Sequence, residues 1–272
     1  MAVEELKKTL VLGHRNPDTD SICSAICYAG FKHQLTGENY EPCRAGNVNP
    51  ETQYVLDYFK LKAPRLVENV KTQVKDIEIR KTKGVSRGIS LKNAWGLMQE
   101  NNVVTLPCVT EEGLLEGVIT IGDITKSYMN LYDSSIISKA CTKYANILDT
   151  LEGSMVVGDS EAYFDRGKVL IAAANPDLME NYIEKHDLVI LGNRYESQLC
   201  AIEMEAGCII VCEGAGVSLT IRKLAQERGC AVITTPYDTY TTARLINQSM
   251  PISYFMTKEN IIEFSEEDYL DD

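Results

Sequence analysis

Between residues 150 and 248 four short apolar runs, Val169–Ala173, Leu188–Leu191, Cys208–Cys212 and Ala231–Thr235, alternate with helical stretches at 177–185, 195–206, 218–227 and 239–248. No other feature constrains the fold as much. Runs this short read as strands. A helix between successive strands makes each connection a right-handed crossover, so the strands should lie parallel. The segment is predicted to be a small three-layer α/β domain.

The rest of the chain follows other patterns. Residues 9–13 read as a buried strand, followed by the polar loop His14-Arg15-Asn16-Pro17-Asp18-Thr19-Asp20-Ser21. Ile22, Ile26, Ala29 and His33 then recur at helical spacing, with Asp20 or Ser21 as the expected N-cap. A second strand is expected at 40–45 and a second helix at 50–60, opening after Asn49-Pro50-Glu51. Residues 66–128 predict a helix, two antiparallel strands and a helix: Ser90 to about Asn102, Val103–Val109, a turn at Glu111-Glu112-Gly113, Leu114–Thr120, and a helix opening at Gly122-Asp123. The stretch from Met250 to Asp272 opens like a further unit but is too short to bury a core, so the chain is expected to be part of a longer one. A length of 272 residues fits two domains or three small ones.

With 27 basic and 39 acidic residues the formal charge is −12, which argues against a nucleic-acid or anionic-membrane partner while leaving room for a local anion pocket. The start, MAVEELKKTLVLGHRN, fits no signal peptide, and Val169–Ala174 is far too short to span a bilayer, so a cytoplasmic protein is expected. Nine cysteines without a C-x-x-C pair read as small buried hydrophobes; a thiolate metal site using Cys23 and Cys27 or Cys208 and Cys212 is the rival reading.

His14, Asp18 and Asp20 place one imidazole and two carboxylates in a strand-to-helix loop, where open α/β sheets put their sites. This donor set suits Mn²⁺ or Mg²⁺; the alternative is a turn in which the two Asp side chains only satisfy helix amides. Glu213-Gly214-Ala215-Gly216-Val217-Ser218 lacks a third glycine, with Leu219 in its place, and reads better as a tight turn with Ser218 as N-cap. In Thr120-Ile121-Gly122-Asp123 the Asp could accept a ribose hydroxyl or could cap the helix. Arg87, Lys92, Arg222 and Lys223 read as solvated face charges.

The segment Gly13-His14-Arg15-Asn16-Pro17-Asp18-Thr19-Asp20-Ser21 resembles the first motif of family II inorganic pyrophosphatases, within the DHH phosphoesterase group. Residues 66–128 are similar to a CBS motif, carried by Leu106-Pro107 and Gly117-x-Ile-Thr-x-Gly-Asp-Ile-Thr125. Residues 129–248 look like a DRTGG domain, although Gly158-Asp159-Ser160 departs from the Gly-Asp-Arg expected there, and 249–272 resemble the start of a second CBS motif. The fold class implied is α/β: a truncated DHH-type start over 1–65, a CBS motif, and a small parallel-sheet DRTGG-like domain.

The resemblance implies metal-dependent hydrolysis of pyrophosphate, with Mn²⁺ (or Co²⁺ or Mg²⁺) as cofactor and regulation by AMP, ADP or ATP. It assigns His14 and Asp18 to one ion and Asp20 to the other in a bridging role, and Thr120 and Asp123 to nucleotide phosphate and ribose. No Asp-His-Asn, Asp-His-His or Ser-Arg-Lys-Lys segment is present to complete the site, so this chain alone is expected to be nearly inactive. A non-catalytic adenine-nucleotide-binding regulatory protein is the alternative, and a DHH-type phosphoesterase acting on short nucleotides a third. CBS pairing implies a homodimer, with no nucleic acid or membrane partner.

Overall fold

The structure is a computed structural model; it describes residues 8–79, 81–129 and 133–270. The chain divides into two compact units, residues 1–79 with 264–272, and residues 80–263.

The first unit is built on a parallel three-stranded sheet. Strand β1 (Thr9–Val11) leads through the polar loop into α1 (Thr19–Thr36), β2 (Tyr40–Arg44) into α2 (Pro50–Tyr58), and β3 (Arg65–Leu66) pairs beside β2. The short β3 was not expected and spans residues 65 and 66. Helix α1 begins with Asp18 as N-cap, accepting from the Ser21 amide, not with Asp20 or Ser21. Asp18-Thr19-Asp20-Ser21 offers four residues suited to capping, and only Asp18 has extended backbone with its carboxylate turned to the third amide of the helix. Gly37 closes α1 in the left-handed conformation.

The second unit begins with α3 (Leu91–Glu100), capped by Ser90 as expected, then the hairpin β4 (Thr105–Val109) and β5 (Leu115–Thr120), then α4 (Ile121–Met129). Short elements follow: α5 (Ile136–Lys139), β6 (Thr142–Lys143), α6 (Tyr144–Thr150), β7 (Ser154–Val157) and β8 (Tyr163–Phe164). Next come β9 (Val169–Ile171), α7 (Pro176–Met179), β10 (Leu188–Leu191), α8 (Tyr195–Glu203), β11 (Cys208–Val211), α9 (Leu219–Arg228), β12 (Ala231–Thr234) and α10 (Thr239–Leu245).

The four strands read from the sequence are parallel neighbours in the order β9-β10-β11-β12, as the alternating pattern predicts. A fifth, β7, closes the β12 edge antiparallel and was missed. Helix α7 stops after four residues, well short of 185. The buried Asp187 carboxylate accepts from the amides of Lys168 and Glu184, and so pins the chain that a longer helix would use. Gly167, at φ +88°, lies so close to the His186 carbonyl that any side chain would collide with it.

The central strands are buried on both faces. One face, with Leu188, Ile190, Cys208, Ile210 and Ile233, shares a core with Leu91, Met98, Leu106, Ile119, Ile147 and Met250. The other, with Val189, Leu191, Ile209, Val211 and Val232, packs on Ile202, Ile221 and Ala225. The helix–hairpin–helix unit and the five-stranded sheet therefore share one apolar core.

Residues 250–257 return to the hairpin unit and build no core of their own. Leu91 and Ile252 amides bond to Met250 and Ile89 carbonyls, and Val118 and Thr257 exchange both backbone bonds. Two basic residues expected to be solvated face charges are engaged. Lys92 donates to the carbonyls of Asp149 and Thr150, and Arg222 Nε donates to the Val217 carbonyl. Lys92 is half-buried in serving the carbonyls at the end of α6, while Arg222 stays exposed. Cys208 and Cys212 are fully buried, and burial pushes both thiols up, as small apolar fillers would behave.

Ile210 is fully buried in the core common to both parts of the second unit. Ile210→Ala should lower the stability of that unit by about 2–5 kcal/mol, read as a shifted urea midpoint. Loss of the sheet signal with an intact hairpin signal would contradict a common core.

Candidate functional site

In the first unit the loop 12–18 leaves the carboxyl end of β1, and the loop 45–49 leaves the carboxyl end of β2. Parallel pairing puts both at one sheet edge. They are fitted to each other: an added Cβ at Gly46 would lie 2.6 Å from the Arg15 carbonyl oxygen, and Pro17 is buried beside it. A side chain at Gly13 would overlap Ser21 Oγ. The Thr19 and buried Thr52 hydroxyls bond at 3.0 Å, tying the starts of α1 and α2 together, and Asn49 caps α2 through the Thr52 amide. Sequence reading missed this second loop as part of the site; Asn49-Pro50 marked it as a helix start, and parallel pairing of 40–45 with 9–13 would have placed it.

His14, Asp18 and Asp20 all stand exposed on this edge. His14 Nε2 lies 3.3 Å from Asp18 Oδ1, the oxygen that also accepts from the Ser21 amide at 2.9 Å. Asp20 turns along the helix and accepts from Ser24 Oγ at 3.3 Å. Two of the three expected ligands thus meet. The three form no metal-ready cluster, and none of three or more His, Cys, Asp or Glu exists among the described residues. The Ser21 amide holds the Asp18 carboxyl below its ordinary range, with His14 assisting. One imidazole and two carboxylates open to solvent are donor types that suit Mn²⁺ or Co²⁺.

In the second unit Thr120 and Asp123 form a reciprocal cap at the start of α4. Thr120 Oγ1 accepts from the Asp123 amide at 3.2 Å, and Asp123 Oδ2 accepts from the Thr120 amide at 2.9 Å and hydroxyl at 2.7 Å. Both expected nucleotide contacts are therefore together, half-buried and already bonded to one another. The Gly214 turn reads as expected: Glu213 and Gly214 both take positive φ, and Ser218 caps α9 through the Ile221 amide. No helix among the described residues is long and apolar enough to cross a membrane.

Because the folded-state Asp18 pKa is depressed, its contribution is complete above the ordinary carboxylate value and is lost as pH falls through the lower folded value. Asp18→Asn keeps a capping side chain but cannot be protonated. Its thermal stability should lose less than the wild type between neutral pH and about pH 3; equal losses in both proteins would show that the carboxylate adds nothing.

Comparison with known proteins agrees with these elements. The CBS domain family matches residues 74–130, and the DRTGG domain family matches residues 146–249. The cobalt-dependent inorganic pyrophosphatase of Clostridium perfringens is 40% identical over 262 residues, 96% of this chain and 48% of that protein. A probable manganese-dependent inorganic pyrophosphatase of Thermotoga maritima is 30% identical over 258 residues, 94% of this chain and 47% of its own length. The chain spans about half the length of these relatives. A manganese-dependent inorganic pyrophosphatase of Bacillus subtilis is 57% identical over 72 residues, 26% of this chain and 23% of that protein. Among solved structures, the CBS and DRTGG domains of the regulatory region of Clostridium perfringens pyrophosphatase, complexed with the activator diadenosine tetraphosphate, align with TM-score 0.69 and 36% identity over 74% of this chain and 87% of that one. With hairpin unit and parallel sheet both accounted for by that structure, the chain belongs to the family of CBS–DRTGG regions it represents.

Proposed function

We propose that the chain contributes the metal-holding loop and the nucleotide-sensing region of a DHH-type, family II inorganic pyrophosphatase, a hydrolase that cleaves pyrophosphate to two phosphates under adenine-nucleotide control. The observation that carries this reading is the pairing of His14 with Asp18 at the carboxyl edge of the β1–β2–β3 sheet, together with relatives named manganese- and cobalt-dependent pyrophosphatases along nearly the whole chain. The domain layout proposed is 1–65 for the DHH-type part, 66–128 for the CBS motif, 129–248 for the DRTGG-like domain and 249–272 for the opening of a second CBS motif. A cytoplasmic homodimer completes the reading.

His14 and Asp18 would hold one divalent ion and Asp20 a second in a bridging position. When bound, such ions supply a water that ionises near neutral pH and neutralise charge on the phosphates. The chain's own contribution is positional. The Ser21 amide keeps Asp18 ionised, and the Gly46–Pro17 contact fixes the loop that carries both. At the other site the reciprocal cap presets Asp123 for a ribose hydroxyl and Thr120 for phosphate, with AMP, ADP or ATP as ligand.

Mn²⁺ binding by the full chain, followed by loss of the free-ion electron paramagnetic resonance signal, should weaken at least tenfold in Asp18→Asn; unchanged affinity would remove the loop from the metal site. Phosphate release from pyrophosphate with Mn²⁺ should stay below about 1 s⁻¹, since the later ligand segments are absent from this sequence.

The second reading, a nucleotide-binding regulatory protein without catalysis, draws support from the 87% coverage of the solved CBS–DRTGG region. Calorimetry with AMP in the absence of metal separates the two. Micromolar binding abolished by Thr120→Val, with no Mn²⁺ affinity at His14 and Asp18, would favour it.

A further inference from the structure

The last turn of α4 and the stretch formed by α10 and the following turn (Ile246–Ser249) line an open cavity of about 450 Å³. Its walls include Tyr128, Tyr240, Arg244, Asn247 and Gln248. This volume lies in the range of small-molecule sites. The chemistry of the walls is unusual for this chain. In a protein of net charge −12, the Arg244 guanidinium has no carboxylate partner among the described residues. It sits over the Tyr240 ring at 5.7 Å instead. Burial pushes the Tyr128 hydroxyl up, and the nearby Arg244 charge acts against that shift. The side-chain amides of Asn247 and Gln248, half-buried, also find no hydrogen-bond partner among the described residues.

A free guanidinium takes a phosphate through charge-assisted bonds. Phenol rings offer faces on which a base can stack, and carboxamides match the donor and acceptor edges of a base. We propose that this cavity is a ligand site for a nucleoside monophosphate, with Arg244 on the phosphate and the tyrosines and amides on the base. The site is distinct from Thr120 and Asp123. Those residues open α4, while Tyr128 lies five residues beyond Asp123, about 7.5 Å along the helix axis. It does not depend on the metal loop or on hydrolysis.

The test is photolabelling of the full chain with 8-azido-AMP, followed by peptide mapping. The wild type should carry label within residues 238–248, and unlabelled AMP should suppress it. Adenosine and ribose 5-phosphate, each lacking one half of the ligand, should compete at least tenfold less well than AMP. Arg244→Gln, at an exposed position whose loss leaves the core intact, should cut that label at least tenfold. Thr120→Val should leave label at 238–248 unchanged, whatever it does to labelling near residue 120. Absence of label at 238–248 in the wild type, label indifferent to Arg244→Gln, equal competition by ribose 5-phosphate alone, or loss of label in Thr120→Val would each overturn the proposal.

Discussion

The second unit depends on burying both faces of one short sheet. Strands β10 and β11 carry no exposed side chain, so each needs cover above and below. Helices α8 and α9 supply it on one side through Ile202, Ile221 and Ala225. On the other side lie α6, through Ile147 and Leu151, and residues 246–256, in one core with the helix–hairpin–helix unit. Each fully buried Val, Leu or Ile is worth about 1.5–3 kcal/mol relative to exposure. Without that cover, a face holding Leu188, Ile190, Cys208, Ile210 and Ile233 would stand in water. The CBS and DRTGG portions therefore share one apolar core.

Both candidate sites are built from helix starts. Asp18 and Thr120 each serve as caps, and the groups that satisfy the helix are those proposed to meet a ligand. Capping lowers the entropy left for binding to remove, because the side chains are already held in place. It also explains why capping and binding could not be separated from the sequence: Asp18 caps and meets His14 with the same oxygen.

Much of this was legible in the residues. The four parallel strands were plain because each is a short, mostly apolar run followed by a turn and a helix. β7 was hidden: Ser154-Met155-Val156-Val157 is only partly buried, pairs antiparallel at an edge and has no helix behind it. The two-residue β3 carries no periodicity at all. Helix α7 was overextended since nothing local in 177–185 announces that Asp187 will hold the amide of Glu184 from beyond the helix. The His14–Asp18 contact follows from their spacing, whereas the fit of Gly46 against Arg15 and Pro17 is a tertiary fact.

The backbone pairing of Val118 with Thr257 joins positions separated by the whole of the five-stranded sheet. Contacts of such separation form late, since a long loop must close before they give anything back. During synthesis the β4–β5 hairpin emerges early yet waits with an unpaired edge until residue 257 clears the ribosome. Between those moments the nascent chain exposes a strand edge and an apolar face open to wrong partners. Chaperone dependence should accordingly be concentrated in that interval of translation.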